Sequence, residues 1–271
     1  MAPDFSEFFR KYEAFVAEAD ALFAAIQAKH PSEVACVKGC SDCCHALFDV
    51  SLVEALYLNH HFNARHKGEA RSRVLERADA ADRQVHKLKQ RLHKASQEGT
   101  NVREILLEVA QTRVRCPLLD DADLCLLYEH RPVTCRLYGV PTDIGGQAHT
   151  CNRSRFVPGT SYPTVHIAKI QDRLFALSAE LVASLDTKYP QMGDILMPPS
   201  LALLTTFDDE FLGLRKDRPA AGAAPTQPPA PERQNKGEAC AACKKDESAC
   251  GDCETFSVTL GRPMSDGSRG D

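Results

Sequence analysis

Eight cysteines in two runs constrain this chain more than any other feature. The first run is Cys36-x3-Cys40-x2-Cys43-Cys44, and the second is Cys116-x8-Cys125-x9-Cys135-x15-Cys151. Close spacing lets the first thiolates converge on a metal at small loop-closure cost. Gly39, just before Cys40, supplies the positive φ that a tight wrap needs. Adjacent side chains diverge, so Cys43 and Cys44 are expected to serve different faces, one of them another metal or a structural contact. Pro117 follows Cys116 directly, as proline often follows a cluster-ligating cysteine.

Disulfides would use the same even count. The chain has 12 cysteines in 271 residues, below the density of a disulfide scaffold. Acidic residues enter at Asp4 and Glu7 and no apolar stretch of signal-peptide or membrane-span length follows, so a cytoplasmic protein with no membrane partner is expected. There, clustered thiols bind metal more often than they cross-link.

The rest of the chain reads as helix. Apolar residues recur every three or four positions over 4–28, 51–62, 101–112 and 163–189, and a short helix is expected within 199–214. Residues 69–95 form a longer, polar helix. Ten Lys/Arg face four Asp/Glu between Arg65 and Lys94, without interleaved aromatics. That pattern reads as a solvated helix face rather than a nucleic-acid surface. Residues 113–161, rich in Cys, Pro, Gly and Asp, read as loops and turns folded around something. The expected architecture is therefore mainly α: a helical domain over 1–215 wrapped around an irregular Cys-rich metal-binding core. A Pro/Ala-rich disordered linker follows at 216–238, then a small four-cysteine metal knuckle at 239–256 and a disordered tail at 257–271.

The knuckle is Cys240-x2-Cys243-x6-Cys250-x2-Cys253. Two Cys-x2-Cys pairs are the strongest metal signal in the chain, and zinc is the expected ion. The spacer of six is short for a full zinc ribbon. Lys244 and Lys245 would offset thiolate charge or stand as plain solvated residues.

The wording around the eight cysteines resembles the YkgJ-like cysteine-cluster (CxxCxxCC) family, described as a zinc- or iron-chelating domain. The shared residues are the 36–44 opening, Cys116-Pro117-x-Leu119, and Cys125-x2-Tyr128-x2-Arg131-Pro132-x2-Cys135-Arg136. The resemblance covers roughly 30–155 and implies chelation of an iron–sulfur cluster or zinc, without a settled reaction. All eight cysteines of the main domain are then candidate metal ligands. Tyr128, Arg131 and Arg136 are candidate cofactor contacts: the arginines to bond sulfur or orient the loop, Tyr128, with Tyr138, to wall out water. Lys38, Arg113 and Arg115 are further charge-offsetting candidates, against a bland pairing with nearby carboxylates. His45, His130 and His149 adjoin the motifs and are expected beside the ligands rather than among them. The uneven spacings of the second run suit a [4Fe–4S] cluster better than a zinc knuckle.

A non-catalytic metal-binding protein, in metal handling, electron transfer or an accessory role, is the leading expectation. A cluster-containing enzyme such as a lysine N-methylase-like modifying enzyme is the second, because flagellin lysine methylases carry a similar cysteine cluster; no catalytic residue is identified. The third is a zinc-dependent interaction module that captures a protein partner through the C-terminal segment. The spacing Cys36-x3-Cys40-x2-Cys43 also occurs in radical S-adenosylmethionine enzymes. Those need a strand before the loop and a βα barrel behind it, and Asp42 stands where an aromatic is usual there.

Overall fold

The computed structural model describes residues 3–37, 39–144, 146–215 and 257–259. In chain order these build α1 (Ser6–Lys29), β1 (Val50–Ser51), α2 (Leu52–Arg65), α3 (Gly68–Gln97), α4 (Val102–Gln111), α5 (Val133–Leu137), β2 (Thr142–Ile144), β3 (Gln147–His149), β4 (Ser161–Pro163), β5 (Val165–His166), α6 (Ile167–Ser184), β6 (Leu196–Met197), α7 (Pro199–Leu204) and β7 (Ser257–Thr259). The fold is mainly helical, as expected. No helix of the described residues is long and apolar enough to cross a membrane.

α2 is the axis of the molecule. Leu52, Val53, Leu56 and Tyr57 enter one apolar core with Phe8, Tyr12 and Phe15 of α1, Val133 and Leu137 of α5, and Leu174 and Leu181 of α6. Ala55, Leu58 and Phe62 enter a second core with Val74 and Ala78 of α3, Ala202 and Leu203 of α7, and Leu118 and Leu127. A helix that is apolar on both flanks has no solvent face to spare and is buried. Its start is fixed by a capping box in which Ser51 and Glu54 bond reciprocally.

α3 behaves as its polar composition demands. Val74, Ala78, Ala81, Val85 and Leu88 form a narrow buried stripe. Its cations are largely neutralised at the surface: Arg73 by Glu69, Arg83 by Asp79, Lys89 by Asp49, Arg91 by Glu108 and Lys94 by Glu98.

Two boundaries differ from expectation. α6 begins at Ile167 rather than near Pro163, because Val165–His166 is drawn into a parallel pairing with β2. α7 ends at Leu204, and the chain then turns so that Leu214 bridges Thr187. β2 also pairs with β3, and β1 with β6, both antiparallel. The linker at 216–238 and the knuckle at 239–256, with Cys240, Cys243, Cys250 and Cys253, lie outside the described residues. At the head of the expected tail, Ser257–Thr259 pairs antiparallel with β4.

Candidate metal centre

The first cysteine run approaches its site through a tight turn. Gly39 has φ of +89°, in the left-handed region that glycine alone enters freely, and Cys40 N–H returns to Val37 O at 2.9 Å. Asp42–His45 then forms one 3₁₀ turn. The segment before Cys116 is zipped onto this turn. Val114 N–H donates to His45 O at 3.1 Å, Cys116 N–H to Cys44 O at 2.6 Å, and Arg113 to the Asp42 carboxylate at 2.7 Å.

The second run is folded into proximity by a small hairpin. Leu119 bridges Cys125, and Leu126 N–H donates to Leu118 O at 2.8 Å. The Asp120 carboxylate caps the hairpin by accepting from the backbone N–H groups of Ala122 and Leu124. Cys135 follows on α5, whose first turn is set by Cys135 N–H donating to Pro132 O.

These elements bring Cys43, Cys44, Cys116, Cys125 and Cys135 around one cavity of about 30 Å³. Its other walls are Phe48, Leu58, Leu118, Leu127, Pro132 and Pro199, with Arg131 the cation that lines it. Burial pushes the Cys116 thiol up to about 12. The Cys43 thiol is pulled strongly down instead, by hydrogen bonds from Cys135 and Cys44 and by the Arg131 charge. Cys44 and Cys135 are correspondingly pushed up.

Cys43 and Cys44 do not part as expected. Both line the same cavity and bond each other within the 3₁₀ turn. Cys36, Cys40 and Cys151 are partly buried but do not line this cavity. Cys36 packs under Gly139, where an added Cβ would lie 2.8 Å from Cys36 Cβ. Among the described residues, no group of three or more His, Cys, Asp or Glu side chains is placed to hold a metal ion.

The accessory residues divide. Arg131 stacks over the Tyr128 ring at 3.7 Å while reaching the cavity. Tyr128 itself is 44% exposed and does not wall out water, because its ring is turned outward as a platform for that guanidinium. Arg136 does not reach the cavity. It braces the loop by donating to Arg131 O, Glu129 O and the Asp20 carboxylate of α1. Arg113 pairs with Asp42 and Arg115 with Asp123. Lys38 lies outside the described residues. None of the three histidines lines the cavity: His45 Nδ1 lies 3.1 Å from Ser41 O, His149 is on β3, and His130 stacks on His61 at 3.6 Å.

Residues 35–152 match the family model CxxCxxCC, whose description is "Putative zinc- or iron-chelating domain". Over this segment, less than half of the chain, the protein is similar to that family. The matched CxxCxxCC segment holds every cysteine around the cavity together with Cys36, Cys40 and Cys151. No curated protein and no solved structure matches.

Three contributors to the site had no readable signal. Phe48, Leu58 and Pro199 come from outside the two cysteine runs. Only α2 and the α7 start, packed through the second core, bring Leu58 and Pro199 there. Gly139 could have been suspected from its place shortly after Cys135, since glycine often marks a close approach.

Proposed function

We propose that the CxxCxxCC domain holds an iron–sulfur cluster in the chamber of Cys43, Cys44, Cys116, Cys125 and Cys135, and that the protein is a non-catalytic factor in electron transfer or metal handling. The convergence of five thiols on one apolar-walled cavity carries this reading. The donors are all sulfur, and five thiols are enough for the four that an iron–sulfur cluster takes. The walls of Phe48, Leu58, Leu118 and Leu127 keep water from the sulfurs, and Arg131 offsets thiolate charge. Such a cluster supplies one-electron exchange when bound. This chain's residues supply the rest: the hairpin cap at Asp120 sets the Cys125 loop, Arg136 ties α5 to α1, and the 3₁₀ turn presents Cys43 and Cys44 together.

The cavity volume favours a second reading. About 30 Å³ receives a single ion with less rearrangement than a four-iron core, and zinc in this chamber would make the domain a structural metal module. Anaerobic purification followed by iron, acid-labile sulfide and zinc counting decides between them. Iron and sulfide in equal amounts, lost together in Cys116→Ser, are expected. Stoichiometric zinc without sulfide would replace the cluster reading with the zinc one.

A further inference from the structure

The turn that carries Arg131 is tied to the rest of the fold from two sides. Residues 127–131 hold themselves together: Arg131 Nε donates to Tyr128 O at 2.9 Å, and His130 N–H donates to Leu127 O at 2.8 Å. Leu127 and Arg131, the two ends of this unit, are both walls of the chamber. On one side Arg136 grips the unit through Arg131 O and Glu129 O. On the other side His130 reaches α2. Its Nδ1 lies 3.0 Å from the Tyr57 hydroxyl, and its ring stacks on His61 with centroids 3.6 Å apart and planes 8° apart. His60 stands edge-on to His61 at 5.1 Å.

Hydrogen-bond chemistry places the protons of this group. Tyr57 donates its one proton to Glu13 Oε1 of α1 at 3.0 Å, since a carboxylate can only accept. The Tyr57 oxygen therefore accepts from His130 Nδ1–H, and His130 Nε2 is left as a bare lone pair. That atom is buried and has no hydrogen-bond partner among the described residues. Protonating it would bury a charged N–H with no acceptor, against the face of a second imidazole. The surroundings add to that cost. Arg65 of α2 and Arg136 of α5 bring positive charge to the pair, as does His60 once protonated, against Glu13 of α1 and Glu129 of the turn. Desolvation lowers both imidazoles, His61 to about 4, and the neighbouring positive groups reinforce it.

We infer that the stacked His61–His130 pair is an acid-sensitive clasp on the chamber: with both rings neutral it holds the turn, and with it Leu127 and Arg131, in place as chamber wall, and a proton on either ring releases that wall. In the released turn the imidazoles stand in water and take up protons at their ordinary value. The closed form is therefore favoured at neutral pH and gives way as pH falls from 6.5 toward about 4. The Arg136 contacts to the turn are to backbone carbonyls, which do not titrate, so the turn swings from that side rather than detaching. The clasp acts on the wall itself and stands with either occupant of the chamber, cluster or zinc.

The test is amide hydrogen exchange of the full-length chain at neutral pH and at about pH 5, corrected for the intrinsic exchange rate and repeated in low urea. It is read on peptides covering 127–131 and on α6. The opening constant of the turn is expected to rise on the order of tenfold in acid. That opening should not depend on urea, which marks it as local, whereas α6 exchange follows urea as global unfolding does. His61→Phe keeps a flat ring for the stack but takes no proton, and should show a much smaller rise. Tyr57→Phe keeps its ring but removes the acceptor for His130 Nδ1–H, and should open the turn already at neutral pH. Unchanged exchange of the turn in acid overturns the inference, as does an equal rise in His61→Phe, a rise with the urea dependence of α6, or full protection of the turn in Tyr57→Phe. Iron, sulfide and zinc counts on the same samples bear on the occupant alone, so the cluster reading and the clasp fail separately.

Discussion

Glu54 accepts hydrogen bonds in the interior from Ser51 N–H, the Ser51 hydroxyl, Val133 N–H and the Tyr12 hydroxyl, at 3.1 to 3.2 Å. Burial pushes its carboxyl above the ordinary value, against the pull of those same bonds. The side chain starts α2 and at the same time holds the first residue of α5, two positions before Cys135. Glu54→Gln offers an amide nitrogen where two donors point, and should lower unfolding free energy by about 2 kcal/mol, measured in urea. His61 is the pH-sensitive counterpart. Its ring stacks on His130 at 3.6 Å with planes 8° apart, and desolvation, aided by His130, His60 and Arg65, lowers it from 6.5 to about 4. The unfolded chain therefore takes up this proton first on acidification. The contribution to stability is intact above 6.5 and is lost as pH falls toward about 4. Unfolding midpoints should drop across that window, and His61→Phe, which keeps a stacking ring, should flatten the drop; an equal drop in the variant would assign it elsewhere.

Helices were largely legible from the sequence because their signal is periodic. α1, α2, α3 and α4 lie within a few residues of where apolar spacing put them, and α6 lost its first turn only to a strand pairing that no local pattern encodes. The two cysteine runs were legible in the sequence, but which of their thiols share a cavity was not. Eight residues between Cys116 and Cys125 look too many for a paired knuckle, yet the Leu119–Cys125 bridge folds them back and sets the two thiols on one cavity. Spacing along the chain is thus a weak guide to metal type when a capped hairpin intervenes. Asp42 was visible only as a departure from another family's pattern; its buried, unpaired oxygen is a property of three dimensions. At this scale Phe62→Ala, which empties a fully buried site on α2 facing α3, should cost about 3–5 kcal/mol. Gly139→Ala should leave the helices intact by circular dichroism while lowering the unfolding midpoint, since the new Cβ would displace Cys36.

Across the whole molecule one cavity gathers thiols from segments that are remote in sequence: the 36–44 turn, the 116–126 hairpin and α5. Cys135→Ser and Cys40→Ser should each lose metal and unfold at lower temperature; either variant with undiminished metal and an unchanged midpoint would remove that residue from the ligand set. Cys243→Ser should leave the unfolding of the 1–215 domain unaltered. The two apolar cores do not offer a line along which the protein can come apart, because both are built on α2, with Leu56 and Tyr57 on one flank and Leu58 and Phe62 on the other. Loosening either flank exposes the rod they share. Amides in the middle of α2 should therefore exchange with deuterium only through global opening, at one common rate limit, while those of the polar α3 exchange turn by turn.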